Sequence, residues 1–181
     1  MRSFIALELP ESFRLQVAGL AHTLSAQVKG RFMPPDNYHL TLAFLGDISE
    51  RDVMLVMAVL DEAGAKSGVV PVEGSGLGKF GKARDATLWL GLRPNDELMQ
   101  LAENVRESLA KRQIEFDDKP FKPHITIARR ASIPKGVFPE LPFPQGDHAD
   151  TITLFKSELD SSGATYHPLH SVHLGSPQQP E

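Results

Sequence analysis

Two short segments decide how this chain of 181 residues is interpreted, Tyr38-His39-Leu40-Thr41-Leu42 and Pro123-His124-Ile125-Thr126-Ile127. Side chains in a β-strand alternate between opposite faces. Each segment therefore predicts a strand that buries its apolar residues and presents one imidazole and one hydroxyl on the other face. Two such His-apolar-Thr-apolar tetrapeptides arise by chance in roughly one chain in a thousand, so we treat the pair as a functional signal.

Paired histidines of this kind suit the opening of a cyclic phosphodiester. In-line attack by water needs a base on one side of phosphorus and an acid at the leaving oxygen, and histidine serves as either near neutral pH. A threonine hydroxyl can donate a hydrogen bond to a non-bridging oxygen, where negative charge builds in the transition state. We predict His39 and His124 as catalytic and Thr41 and Thr126 as phosphate-binding. The residues alone leave open which histidine is the acid.

Composition limits the class of protein. The formal net charge is -4, which argues against a general nucleic-acid coat but allows an enzyme that holds one strand end with a few cations. The chain has no cysteine, which excludes disulfides and a cysteine nucleophile and suits a reducing cytoplasm. Because no segment approaches the roughly 18 apolar residues of a membrane helix, we expect a cytoplasmic protein without a membrane partner.

Apolar periodicity predicts three helices, which begin near Ser12, Ser49 and Asn95. Period-two patterns predict seven strands between and around them: Phe4–Leu7, His39–Leu45, Val69–Val72, Thr87–Leu92, His124–Ala128, Thr151–Leu159 and Tyr166–Leu174. A turn is expected over 160–163 and a loop over 131–148, which is rich in proline and glycine.

This mixture of helices and strands, some joined as hairpins, indicates an α+β fold. In each half of the chain a helix precedes a strand with the His-x-Thr-x pattern, which suggests two pseudo-symmetric lobes that share a cleft. Few stretches look like linkers, so we expect one bilobal domain over residues 1–175 and a disordered tail over residues 176–181.

Five segments carry a resemblance to a known family: RSFIALELP (2–10), RFMPPDNYHLTLAFLGDI (31–48), GLGKFG (76–81), ATLWLGL (86–92) and FKPHITIAR (121–129). Together they resemble the bacterial and archaeal RNA 2′,3′-cyclic phosphodiesterases, also called LigT or 2′-5′ RNA ligases, of the 2H phosphoesterase superfamily. The resemblance covers nearly the whole chain up to Tyr166.

The resemblance implies a LigT-like fold, with antiparallel sheets, helices outside and a central cleft. It also implies hydrolysis of a terminal 2′,3′-cyclic phosphate on RNA to a 2′-phosphate, with His39 as proton donor to O3′ and His124 as the base. An ATP-independent 2′-5′ ligase activity comes with it. We expect no cofactor and no metal, an RNA end as partner (tRNA halves are one candidate), and a monomer.

Arg129 and Arg130 follow the second motif. The family resemblance points to Arg129 as the residue that faces phosphate or RNA, whereas strict alternation places Arg130 on the face of His124. A bend or bulge would reconcile the two, and ordinary solvated arginines are the simpler alternative.

Two aromatic residues are further candidates for substrate binding. Alternation places Phe44 on the face opposite Thr41, which favours core packing, although a twisted strand would let it stack on a base. Tyr166 would either contact the substrate or belong to the core.

Two patterns are set aside. The segment 76–81 matches GxGxxG, but the next segment is predicted to be a strand and not the helix that a dinucleotide site needs, so we predict a loop. His167, His170 and His173 are spaced too widely along a strand to favour a metal site.

Two alternatives to the main hypothesis remain. One is another phosphodiester substrate, such as ADP-ribose 1″,2″-cyclic phosphate, a 2′-5′ oligoadenylate or an RNA 3′ tail. The other is a non-catalytic module that binds nucleotides or RNA ends.

Overall fold

The computed structural model describes residues 1–136 and 140–175. Its helices are α1 (Glu11–Ser25), α2 (Glu50–Lys66) and α3 (Asp96–Lys111), with a short 3-10 helix at Pro35–Asn37. Its strands are β1 (Arg2–Glu8), β2 (Lys29–Phe32), β3 (His39–Asp47), β4 (Val70–Val72), β5 (Gly74–Lys82), β6 (Asp85–Leu92), β7 (His124–Ser132), β8 (Asp147–Ala149), β9 (Thr151–Asp160) and β10 (Gly163–His173).

The strands form two four-stranded antiparallel sheets, in the orders β10-β9-β1-β3 and β2-β7-β6-β5, and β4 pairs with β8. The α+β prediction is confirmed. In each large sheet a helix separates the motif strand from an earlier strand along the chain: α1 lies between β1 and β3, and α3 lies between β6 and β7. The two motif strands contact each other, so the two sheets meet at the motifs.

The helices begin where the sequence predicts. Ser49 Oγ accepts a hydrogen bond from the Asp52 amide at 3.1 Å, and Asn95 Oδ1 accepts one from the Leu98 amide at 2.8 Å. Both side chains satisfy an amide that the first turn of a helix leaves free.

The apolar residues of the two motifs are fully buried, as predicted, and belong to one continuous core with the inner faces of the helices. This core holds the motif strands rigidly from behind. The four buried motif residues are Leu40, Leu42, Ile125 and Ile127.

The prediction of a loop over 76–81 is wrong, because these residues lie in β5 and pair with β6. A Cβ atom added to Gly78 would lie 2.1 Å from Cη2 of Trp89 on the paired strand. The glycine thus makes room for the flat indole, and the glycine-rich stretch is a strand covered by a tryptophan.

Two short strands, β2 and β8, were not predicted, and β8 begins inside the segment predicted as a loop over 131–148. The predicted disordered tail, 176–181, and residues 137–139 lie outside the described residues. Within the part of the chain that is described, no helix combines the length and the apolar character needed to cross a membrane.

Candidate active site

A β-bulge follows the threonine in strand β3. Strand β1 pairs with Thr41 and next with Ala43, so Leu42 is the extra residue. Leu42 and Ala43 are both buried, and the alternation of faces shifts by one residue. Phe44 therefore returns to the face of the motif histidine, where it is 49% exposed. The prediction that Phe44 packs in the core is wrong, because strict alternation does not survive the bulge.

Strand β7 contains the same device. Strand β6 pairs with Thr126 and next with Ala128, so Ile127 is the extra residue, and both Ile127 and Ala128 are buried. Arg129 consequently faces the cleft with the histidine. Arg130 follows in a left-handed conformation with φ of 52°. The alternation argument for Arg130 is wrong at this point, and the bulge accounts for the face of Arg129.

The two motifs meet across one cleft. His39 and Thr41 from one sheet and His124, Thr126 and Arg129 from the other line a single cavity of about 490 Å³. The wall of the same cavity includes the two aromatic candidates, Phe44 and Tyr166. The structure thus brings together every predicted site residue except Arg130, which borders an adjoining hollow.

Both imidazoles are oriented by a backbone carbonyl two residues earlier in the chain. His39 Nδ1 lies 2.8 Å from the oxygen of Asn37, and His124 Nδ1 lies 2.6 Å from that of Lys122. A carbonyl only accepts, so Nδ1 carries the proton and Nε2 is left for chemistry. His39 Nε2 lies 2.9 Å from Thr41 Oγ1.

Aromatic rings surround the imidazole of His39. The ring of Phe4 stacks on it at a centroid distance of 4.7 Å, and the ring of Tyr166 meets it edge-on at 5.2 Å. Burial is the main cause that lowers the pKa of His39, to about 4, with the nearby charges of Arg129 and His124 acting in the same direction and the Asn37 carbonyl against it. His39 is therefore neutral at pH 7 in the unliganded protein.

The surroundings of His124 are also aromatic but more open. Phe80 meets the imidazole edge-on at 5.2 Å and Trp89 lies at 5.8 Å, while the ammonium of Lys122 lies 5.0 Å from the Trp89 ring centroid. Burial lowers the pKa of His124, and the charges of Lys122 and Arg129 act in the same direction. The sequence did not reveal Phe80 because its segment was predicted as a loop, and it did not reveal Trp89 because only the pairing of β6 with β7 brings the indole beside His124.

Two of the three C-terminal histidines lie beside carboxylates. His170 Nε2 lies 2.7 Å from Asp61 Oδ1, and His167 Nε2 lies 3.2 Å from Glu158 Oε2. Across residues 1–136 and 140–175 no group of three or more histidine and carboxylate side chains is placed to hold a metal ion.

Two pseudo-equivalent strands, each with a histidine and a threonine facing one cleft, define a phosphoesterase of the two-histidine, or 2H, class. A family model described as the 2′-5′ RNA ligase superfamily matches residues 10–160, and the chain belongs to this family. The predicted family is confirmed.

Curated relatives agree along nearly the whole chain. The chain is 30% identical over 185 residues to the RNA 2′,3′-cyclic phosphodiesterase of Aquifex aeolicus, and the alignment covers 97% of this chain and 98% of that protein. It is 32% identical over 173 residues to the protein of the same name from Escherichia coli, with 93% of each chain covered.

Solved structures share the fold. A protein of Thermus thermophilus superposes with a TM-score of 0.80 at 27% identity, covering 98% of this chain and 100% of that one. Escherichia coli LigT in complex with 3′-AMP superposes with a TM-score of 0.79 at 29% identity, covering 96% and 97%. The predicted LigT-like fold is confirmed.

Proposed function

We propose that this protein hydrolyses the terminal 2′,3′-cyclic phosphate of RNA to a 2′-phosphate by acid–base catalysis with His39 and His124. The observation that carries the proposal is the pair of His-Thr faces across one cavity, with both Nδ1 atoms held by carbonyls. This arrangement brings the two imidazoles into one cavity from strands of different sheets, which suits in-line displacement. The names of the relatives supply the substrate class.

The reaction needs one proton removed and one delivered. His124 Nε2 accepts a proton from the attacking water while the new O–P bond forms. His39 Nε2–H donates to O3′ while the P–O3′ bond breaks, and the 2′-phosphate remains. The hydroxyls of Thr41 and Thr126 and the guanidinium of Arg129 stabilise the charge on the non-bridging oxygens.

The division of roles between the histidines rests on the family resemblance. In the unliganded protein the pKa of His39 is lowered to about 4, so His39 gains its proton only with the substrate. An anionic phosphate beside the imidazole raises the pKa of that imidazole. The family resemblance assigns this protonated role in the complex to His39 and leaves His124 neutral as the base.

We further propose the surroundings in which the enzyme works. Its partner is an RNA that ends in a cyclic phosphate, and tRNA halves are one source. The protein acts as a monomer in the cytoplasm, and residues 1–175 work as one bilobal unit around the continuous core. The same site supports ATP-independent 2′-5′ joining, since attack by a 5′-hydroxyl in place of water uses the same two histidines.

Product analysis tests the proposal. An oligonucleotide with a 2′,3′-cyclic phosphate is incubated with the protein in excess EDTA, and the product is identified by mass spectrometry with 2′- and 3′-phosphate standards. We expect the 2′-phosphate at an unchanged rate in EDTA. Absence of turnover on this RNA, combined with turnover of ADP-ribose 1″,2″-cyclic phosphate, would reassign the substrate. Tight nucleotide binding without any turnover would indicate a binding module.

A further inference from the structure

A second hollow adjoins the cleft and concentrates positive charge. It has a volume of about 450 Å³, and its lining includes Arg31, Arg129 and Arg130 together with Asp85. Arg129 also lines the catalytic cavity, so the two hollows share this residue as a common wall. Three cations around one carboxylate contrast with a chain whose net charge is -4.

Local structure builds this cluster at a cost. Arg31 in β2 lies directly opposite Arg129 in β7, and like charges at opposed positions of neighbouring strands are destabilising. Gly30 lets β2 approach this closely, because a Cβ atom there would lie 2.9 Å from Cα of Ala131. The repulsion is relieved when an anion lies between the two guanidinium groups.

The other members of the cluster are weakly engaged. Arg130 has a φ of 52° and meets Asp85 only at 3.5 Å, with 81% of its side chain exposed. Such an exposed ion pair contributes little to stability. On the far side, an Nη atom of Arg31 lies 3.2 Å from where a Cβ atom of Gly163 would be. This places the Arg31 guanidinium beside the β9–β10 turn, at the edge of the cleft.

We propose that Arg31, Arg129 and Arg130 bind the phosphodiester on the 5′ side of the terminal nucleotide of RNA. This inference rests on the proposed function. A 2′,3′-cyclic phosphate closes the 3′ end, so the rest of the strand leaves the site only through the 5′ oxygen of the terminal nucleoside. Its first phosphate is an anion next to the catalytic cavity, and guanidinium groups suit phosphate through paired hydrogen bonds. The enzyme is therefore selective for RNA ends over cyclic mononucleotides.

The test compares kcat/KM for a cyclic-phosphate dinucleotide with kcat/KM for the corresponding 2′,3′-cyclic mononucleotide. We expect the wild type to favour the dinucleotide, and Arg31→Gln to reduce this ratio about tenfold, the size of a lost charge-assisted hydrogen bond. The slope of the logarithm of the dinucleotide binding constant against the logarithm of the salt concentration should become shallower by about 0.7 for the lost contact. Lys29→Gln, on the same strand, is the matched control and should leave both quantities unchanged.

The possible results distinguish a failure of the proposed phosphate-binding surface from a failure of the proposed catalytic function. If Arg31→Gln keeps the wild-type ratio and salt dependence while both substrates are hydrolysed, the phosphate surface is refuted and the catalytic proposal stands. If Lys29→Gln lowers the ratio as much as Arg31→Gln, a diffuse charge effect replaces the site. If the wild type turns over neither substrate, the proposed function itself fails.

Discussion

Phe44 and Arg129 occupy equivalent positions on the two motif strands, each five residues after its histidine and each turned toward the cleft by a bulge after the threonine. The two motif strands thus share the bulge but carry different side chains at the equivalent position. One wall gains an exposed aromatic ring and the other a cation. This difference gives the cleft a direction, since a base prefers the ring and a phosphate prefers the guanidinium.

Phe44 should contribute to substrate binding by stacking on a base. Phe44→Leu retains an apolar side chain but removes the ring, so we expect KM for a cyclic-phosphate nucleotide to rise about tenfold, within the range that base stacking contributes. The side chain is 49% exposed, so the melting temperature should change little. Steady-state kinetics and calorimetry measure the two effects.

Phe44→Tyr keeps the ring and is the matched variant, for which KM should stay near the wild-type value. Phe143→Leu is the control for the loss of an exposed ring, because Phe143 is 46% exposed and does not line the cavity of about 490 Å³. Its KM should also stay near the wild-type value. Equal KM values for Phe44→Leu and the wild type would remove the stacking role.

Arg129 should act on every substrate, whatever its length. Arg129→Gln removes a cation from the catalytic cavity, and loss of one such group typically lowers the rate by about 10²–10³. We expect kcat/KM to fall by this factor for the cyclic mononucleotide and further for the dinucleotide, which also loses a contact to its upstream phosphate, with partial recovery in Arg129→Lys. A loss confined to the dinucleotide would move Arg129 out of the reaction and into strand binding alone.

The buried imidazole of His39 should make the protein less stable in acid. Its pKa is lowered from 6.5 to about 4 in the folded protein, so the unfolded chain takes up the proton first as the pH falls. The contribution of His39 to the free energy of unfolding is fully present above pH 6.5. It falls by up to about 3 kcal/mol between about pH 6.5 and about 4.

Urea denaturation at several pH values measures this loss, and His39→Gln is the comparison because its side chain does not titrate. The free energy of unfolding of the variant should fall less over this interval than that of the wild type. Parallel curves for the two proteins would show that the pKa of His39 is not lowered.

A substrate that needs no acid can show which histidine is the acid and which is the base. A p-nitrophenyl phosphodiester expels a stable anion, so protonation of the leaving oxygen contributes little to its hydrolysis. We expect His39→Ala to lose much less activity on this ester than on cyclic-phosphate RNA, whereas His124→Ala loses activity on both. The reverse pattern would exchange the roles of the two histidines.

The sequence predicted those parts of the site that depend on strict local periodicity. His39, Thr41, His124 and Thr126 precede the bulges, so alternation placed them on the correct face. The starts of α2 and α3 were predicted correctly because their capping side chains, Ser49 and Asn95, lie next to the apolar pattern.

Features that depend on distant partners were not predictable from one segment. The bulges that redirect Phe44 and Arg129 are defined by pairing with β1 and β6. Strand β5 is rich in glycine because Trp89 lies across Gly78, and this packing belongs to the folded sheet. Strand β2, Lys29–Phe32, has an exposed and mostly polar face, and it becomes a strand only by pairing with β7.

We propose that His39 and His124 act together in one displacement. The most direct measurement is the single-turnover rate on RNA with a terminal 2′,3′-cyclic phosphate, for His39→Ala, His124→Ala and the double variant, with folding checked by circular dichroism. We predict that each single variant is slowed by about 10²–10⁴, and that the double variant is only slightly slower than the slower single variant, because groups that act as a unit are not additive. A folded single variant that keeps a near-wild-type rate would contradict the account.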